Sequence, residues 1–525
     1  MRTKERIAEA TPTSERIAVG SGRAVPAWVV LALVCLGQFM VVLDISIVNV
    51  ALPSIQSELH FSASGLQWVV NAYTLTFAGF LLLGGRAADL FGRRRMFLLG
   101  LGMFTVASLL GGLAQNQAML LVARALQGLG GAVLAPATLT ILTTSFSEGA
   151  ARARALGVWS AVAAAGASAG ALLGGILTDL ISWRWILFVN VPIGVAAILA
   201  ARAFLPESRA ESAHRRLDVA GALTVTGGLV ALVYGIVRTQ TYAWTSRQTL
   251  VPLGVGLALL GGFLLIQARV ARAPLVPLRI FRSRSIAGGN VFMLLLFSAM
   301  FGAWYFETLY MQRVLGYSPL QAGLAFLPQT LLIAAGSQIT SRLVTRIGSR
   351  PLLLVGTIVS ASGLAWLSRI TTASAFLPDL FGPFVLIGLG LGLSVTPVTV
   401  AATAGVPRED AGLASGLLNA SRTVGASIGL AALATVAADR TARLLVGLDA
   451  TRDRAAVALT DGYARALGVG AMILVAAAVV AALAIPPLRR SEPVAADGLA
   501  PDPDAPVEPI RLPDAIGSEE ALERA

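Results

Sequence analysis

Lysine occurs once in this chain of 525 residues, at Lys4. A phosphate-binding loop needs a lysine behind its glycines, so ATP hydrolysis is excluded and energised transport must draw on an ion gradient. Cysteine also occurs once, at Cys35, which rules out a disulfide within the chain. The only histidines, His60 and His214, lie far apart, so a histidine-rich zinc site is excluded and no metal or other cofactor is expected. Charge is scarce as well: 13% of residues are charged, against roughly 25% in a soluble domain. No small-residue cleavage site follows the first apolar run, so that run is expected to remain as a span and not to be a removed signal peptide.

What fills the chain is apolar: 56% of its residues are hydrophobic. A membrane-crossing helix takes about 20 mostly apolar residues. Such stretches lie at 27–50, 66–84, 95–114, 118–142, 154–177, 185–204, 218–238, 250–268, 286–310, 321–344, 351–369, 379–404, 412–438 and 463–486. The pattern predicts an all-α polytopic membrane protein with fourteen spans.

The net charge is +12, but the tail after Arg490 holds nine acids against two arginines, so residues 1–490 carry +19. That excess is arginine in short connections between apolar runs, which is the positive-inside pattern and not a nucleic-acid-binding face. Even-numbered connections hold Arg86 and Arg93 to Arg95, Arg152 and Arg154, then Arg342, Arg346 and Arg350, and Arg408. Residues 51–65 and 115–117 hold none, and the loop 439–462 interleaves its arginines with Asp439, Asp449, Asp453 and Asp461. With an even number of spans and a basic amino-terminal tail, both termini are expected on the cytoplasmic side. Scarce lysine with abundant alanine, glycine and arginine suggests a GC-rich bacterial genome, and the expected location is the bacterial plasma membrane.

The stretch Gly85 to Arg95, G-R-A-A-D-L-F-G-R-R-R, reads as a tight basic turn between the second and third spans. An in-frame echo, Ser341 to Arg350, follows the second span of the last six, with Gly348 answering Gly92 and Thr345 replacing the acid. The duplication predicts two six-span halves with a site between them near the midplane. The expected organisation is a tail at 1–26, an N-terminal six-helix bundle at 27–204, a linker at 205–285 with two inserted spans, a C-terminal bundle at 286–488, and a disordered acidic tail at 489–525.

Several residues could carry chemistry. Asp44, late in the first span, costs about 2.5–3.5 kcal/mol to insert, so a carboxylate there is expected to take up a proton or pair with a cation. The competing reading is an acid solvated near the outer interface. Arg124 lies within the fourth span and cannot lose its proton in practice, so its expected part is to modulate a carboxylate; otherwise it snorkels to the inner surface. Glu307, with Trp304 and Tyr305 beside it, is a candidate proton or substrate site, though tryptophan and tyrosine also collect in interfacial belts. In the turn, Asp89 could accept from amides at a neighbouring helix start, with Gly85 and Gly92 permitting the approach and Arg93 to Arg95 beside them. The fifth span is rich in glycine, at Gly157, Gly166, Gly170, Gly174 and Gly175, which permits close helix packing or bending.

Together these stretches resemble the major facilitator superfamily, and within it the fourteen-span drug:proton antiporters. Gly85, Asp89, Gly92 and Arg93 to Arg95 match its signature between spans two and three. Arg124, Gln127 and Gly128 match the fourth-span signature, and Leu43, Asp44, Ile47, Val48, Asn49, Ala51, Leu52 and Pro53 match the first. Trp183-Arg184-Trp185 to Asn190 and Gly194 is similar to the start of the sixth span, and Ala411 to Gly416 with Asn419, Arg422 and Gly425 to the thirteenth. The fifth-span glycines match the antiporter motif, but Ala171 stands where that motif has proline.

The resemblance implies two six-helix bundles rocking about a central cavity, driven by inward proton flow. Asp44 and Arg124 would then couple protons, and the turn with Asp89 would latch the bundles on the cytoplasmic side in the outward-facing state. The implied partners are protons, lipid and an amphipathic small molecule, with a monomer as the unit. Alternatives are a carrier dedicated to one metabolite, in either direction, or a non-transporting receptor; no catalytic constellation favours an enzyme.

Overall fold

A computed structural model of the chain describes residues 16–19, 23–147, 150–208, 217–272, 274–403, 406, 411–445 and 451–487. The acidic tail, most of the amino-terminal tail, the linker at 209–216 and Arg408 lie outside these. Fourteen described helical spans are long and apolar enough to cross a membrane. In hydrocarbon every backbone polar group must be satisfied within the segment, so long apolar runs have little choice but helix.

A short antiparallel hairpin, β1 (Arg16–Val19) and β2 (Arg23–Pro26), pairs Arg16 with Pro26 and leads into the first helix. The first half then holds α1 (Ala27–Leu59), α2 (Ala63–Phe91), α3 (Arg93–Gly112), α4 (Gln117–Ser145), α5 (Ala150–Leu180), α6 (Trp185–Phe188) and α7 (Asn190–Phe204), the last two forming one span. Next come α8 (Val219–Arg238) and α9 (Arg247–Leu265). The second half holds α10 (Arg284–Leu309), α11 (Pro319–Ala325), α12 (Leu327–Ile347), α13 (Ser349–Leu367), α14 (Gly382–Thr403), α15 (Ala411–Leu445) and α16 (Arg452–Ala484). Short connections make successive spans antiparallel. The face where α2 meets α3 is called the basic face below, and its opposite the far face.

Local sequence sets the ends. Ser62 caps α2 by accepting from Gly65 N, Asn116 caps α4 by accepting from Met119 N, and Ser318 with Gln321 forms a reciprocal capping box on α11. At the basic face the expected turn at Gly85 to Arg95 is far tighter than the sequence suggests. Helix α2 runs through Phe91, Gly92 alone breaks it at φ 107°, and Arg93 opens α3. Gly348, at φ 82°, makes the same one-residue break between α12 and α13. Both conformations are open to glycine because it lacks a Cβ. The expected loop at 439–462 is likewise mostly helix: α15 continues to Leu445 and α16 begins at Arg452. Pairs of Arg440 with Asp461 at 2.5 Å and Arg443 with Asp439 at 2.7 Å neutralise those protruding ends.

The halves meet at the far face and at mid-depth. Gln312 Nε2 donates to Val50 O at 2.7 Å. A Cβ on Gly175 would lie 2.7 Å from Pro319 O, so α5 and α11 are in backbone contact. At mid-depth Thr74 and Ser427, both buried, share a hydrogen bond of 2.6 Å between α2 and α15. Toward the basic face α2 and α15 still touch, where Leu82 crowds Gly416, while Gly157 on α5 and Gly412 on α15 each look onto open space.

Of the inserted pair, α9 packs on α8 and is largely exposed, whereas α8 is held between the halves. Helix α8 packs on α2, where Thr226 crowds Gly79, and on α15, where Thr435 Oγ1 donates to Ile236 O at 3.3 Å. Leu75, Leu229, Val233, Val237 and Ala431 form one buried cluster across the three helices.

Candidate functional site

Inside the first bundle, α1 brings Asp44 against Arg124 and Gln127 of α4, which stand one helical turn apart. Arg124 Nη1 donates to Asp44 Oδ2 at 2.5 Å and to Gln127 Oε1 at 2.6 Å. Gln127 Nε2 in turn donates to Asp44 Oδ1 at 2.6 Å and to Ser108 Oγ of α3 at 2.8 Å. Asn190, at the head of α7, donates to Asp44 Oδ1 at 3.3 Å. Arg124 Nε donates to Val69 O at 3.1 Å, and the guanidinium lies 4.5 Å from the centre of the Tyr73 ring. Five helices thus converge on one carboxylate.

The site is shut. Asp44 is 0% and Arg124 2% exposed, and Gln127, Ser108, Asn190 and Tyr73 are all buried. An unpaired ion in such a place would cost far more than the network returns, so the two charges hold one another there. Neither competing reading survives: Asp44 is not solvated at an interface, and Arg124 does not reach a surface. Gly128 makes the arrangement possible, because a Cβ there would collide with Tyr73 O and push α4 away from α2.

The fifth-span glycines divide into groups. Gly166, Gly170 and Gly174 lie against α1, where added Cβ atoms would meet Phe39 O at 3.2 Å, Ser46 Cβ at 2.6 Å and Ile47 O at 2.8 Å. Ser46 Oγ donates to Ala167 O at 2.6 Å. The glycines therefore seat the very segment that carries Asp44. Gly175 and Ala171 face the second bundle instead, with Ala171 O beside Gly323, while Gly157 touches nothing within 4 Å.

At the basic face, Asp89 lies within α2 and pairs with Arg93 at 3.5 Å. The break docks on the end of α7 and the segment after it: Arg93 N donates to Ser208 O at 3.0 Å, Arg94 Nη2 to Arg202 O at 2.6 Å, and Arg95 approaches Glu207 at 3.6 Å. Gly85 faces Pro136 of α4. Sequence reasoning missed this partner, because Glu207 and Ser208 read only as the start of a polar linker. On the far face Glu58 accepts from Trp183 Nε1 at 2.6 Å and Arg184 Nη2 at 2.7 Å, tying α1 to the turn before α6.

Glu307 is apart from all of this. It is 2% exposed within the second bundle, with Tyr305 buried beside it and Trp304 partly buried against Phe301 at 5.7 Å. Ser108, Tyr73 and the Val69 carbonyl had no signal in the sequence beyond being polar groups within apolar spans. Gln127 and Asn190 had motif spacing, but nothing to say what they touch. No cluster of three or more metal-ligating side chains occurs among the described residues.

Two sets of six spans, with an ion pair sealed inside the first, are the architecture of a membrane transporter. The family model described as Major Facilitator Superfamily matches residues 34–430, and the chain belongs to that family. It is a multi-pass cell-membrane protein of a family of transporters rather than enzymes. It is 47% identical over 408 residues to the cephamycin export protein CmcT of Amycolatopsis lactamdurans, covering 77% of this chain and 84% of that one. It is 40% identical to the puromycin resistance protein pur8 of Streptomyces alboniger, covering 86% and 90%, and 39% identical to the multidrug resistance protein Stp of Mycobacterium tuberculosis, covering 77% and 74%. Among solved structures, a bacterial homolog of the human lysosomal transporter Spinster, inward-facing and occupied, superposes with a TM-score of 0.62 at 17% identity, covering 87% of this chain and 96% of that one. The xylose transporter XylE from E. coli, inward open, gives 0.59 at 12% identity, covering 89% and 98%.

Proposed function

We propose that this protein exports antibiotic-like amphipathic molecules across the bacterial plasma membrane in exchange for protons. The observation that carries the reading is the Asp44–Arg124–Gln127 network. Its charges balance only while Asp44 is ionised. A proton on Asp44 removes the counter-charge of a buried arginine, so protonation and the packing of α1, α2 and α4 become one equilibrium. Relatives named for the export of, or resistance to, antibiotics support the direction and the substrate class.

In this scheme the basic face is cytoplasmic, by the arginine pattern, and both termini lie there. The contacts at Val50, Gly175 and Gln312 then close the outside, and this is the inward-facing arrangement. Drug enters from the cytoplasm. When the bundles rock, the contacts around Gly92 and Asp89 become the closed side, with Asp89 and Arg93 as the latch. One chain supplies both bundles, so the working unit is a monomer, and no cofactor is needed beyond the proton gradient.

The test is susceptibility profiling of cells expressing the protein or its Asp44→Asn variant, with puromycin among the compounds. Resistance is expected from the protein and not from the variant at equal membrane abundance. No protection against any compound, or equal protection by the variant, overturns the reading. A dedicated exporter of one antibiotic is the second reading, favoured by relatives named for a single compound; it predicts a profile confined to one chemical class. Inverted vesicles settle direction, because an exporter accumulates substrate when the lumen is acidified.

A further inference from the structure

A second buried acid has a different kind of environment from Asp44. Neither carboxyl oxygen of Glu307 has a well-formed hydrogen bond, although both are buried. The side chain lies in a crevice with Tyr310, Leu367, Ile370, Leu380, Phe384 and Leu467, between α10, α13, α14 and α16 near the far face. The polar side chain that interacts with it is Gln329 of α12, which is 0% exposed and whose own amide oxygen and nitrogen are also unpartnered. All four side-chain polar atoms of this interacting pair are thus buried without a well-formed hydrogen bond.

Titratable groups on the adjoining elements are engaged elsewhere, and Arg369 and Arg465 lie exposed. Tyr310 donates to Thr371 O at 2.5 Å. Asp379 accepts from Ala375 N at 2.8 Å. Tyr463 of α16 packs its ring 5.5 Å from Phe306 and interacts with Arg313, while Tyr305 stacks edge-on to Phe306. On α15 and α16, Asp439, Arg440, Arg443 and Asp461 pair among themselves. No described cation forms an ion pair with Glu307.

An isolated carboxylate in such a place is untenable, because nothing repays its lost hydration. A carboxylic acid fits. Its O–H can donate to Gln329 Oε1 while Gln329 Nε2 donates to its carbonyl oxygen, satisfying all four atoms with one amide. A carboxylate would use only Nε2 and would leave Oε1 facing a negative charge.

We infer that Glu307 and Gln329 form a second proton-carrying site, in the outer part of the second bundle and independent of Asp44. The inference rests on the reading of the protein as a proton-driven exporter. When the far face opens, a proton from external water binds a Glu307 carboxylate oxygen and makes the acid–amide pair. The inward-facing arrangement seen here is then the proton-loaded one; the proton leaves only when water from the cytoplasmic cavity reaches the pair, and the hydrated carboxylate keeps the bond from Nε2. With Asp44, each half then carries one proton.

The test is infrared spectroscopy of the purified full-length protein across a pH series, with Glu307→Gln, Glu307→Asp and Asp44→Asn alongside. A protonated-carboxyl band that disappears on alkaline titration is expected in the wild type and in Asp44→Asn. It should be absent in Glu307→Gln and restored in Glu307→Asp. No titrating band, or the same band in Glu307→Gln, overturns the inference. The proton-driven reading itself fails by another result, namely drug efflux by the wild type that persists when the proton gradient is collapsed, so the two failures are distinguishable.

Discussion

Arg124 and Asp44 are 2.5 Å apart, on helices that begin 90 residues from one another, and neither side chain reaches solvent. Removing one partner of a buried pair leaves the other uncompensated, at a cost of about 3–5 kcal/mol. Asp44→Asn should therefore lower thermal stability as well as abolish efflux. The double variant Asp44→Asn with Arg124→Gln should recover much of the stability and none of the transport. A thermal-shift series on purified protein checks this; a double variant less stable than Asp44→Asn contradicts it.

The glycine stripe gives a contrast within one helix. Gly170→Ala would place a Cβ 2.6 Å from Ser46 Cβ and 2.8 Å from Leu43 O, so α1 must shift. Overpacking of this kind costs about 1–3 kcal/mol, and here it falls on the residue before Asp44. Gly157→Ala meets nothing within 4 Å and should be silent. Minimum inhibitory concentrations for the two variants, at matched expression, decide it.

Gln312 holds the far face by a single bond to Val50 O. A neutral hydrogen bond contributes about 1 kcal/mol net, or roughly a fivefold population shift. Gln312→Leu should thus favour the arrangement open at the far face by up to that factor. Spin-label distances across the α1–α10 gap, measured in a background lacking Cys35, would show the longer distance gaining weight.

At the opposite face two acids should behave differently. Glu207 with Arg95 is a partly exposed pair, with Arg95 67% accessible, and such pairs are worth about 0–1 kcal/mol. Glu207→Gln should leave transport nearly intact. Asp89→Asn should cut transport while leaving drug binding unchanged, as measured by ligand fluorescence on purified protein; a parallel loss of binding would sink the latch.

The fourteen spans were legible because a bilayer imposes one length and one composition on every crossing helix. Their ends were not. Residues such as Gly85–Phe91 and Asp439–Leu445 are polar enough to read as loops, yet the helices simply extend beyond the hydrocarbon. Asp44, Arg124 and Glu307 announced themselves as charges where charge is expensive. Their partners did not, because Ser108, Tyr73 and Gln329 are ordinary polar residues until other helices bring them face to face. The docking of Arg93 on Ser208 was equally invisible, since contact between positions 115 residues apart has no local signature.

Helix α8 lies over the line where α2 and α15 meet, bonded to one through Thr435 and wedged against the other through Thr226. A carrier of two bundles has two lateral seams facing lipid, and here they are unequal. The α2–α15 seam is sheathed by a third layer of protein, whereas the seam where α5 meets α11 and α12 has neither α8 nor α9 packed on it among the described residues. A greasy molecule dissolved in the bilayer thus meets a wall on one flank of this transporter and a bare joint on the other.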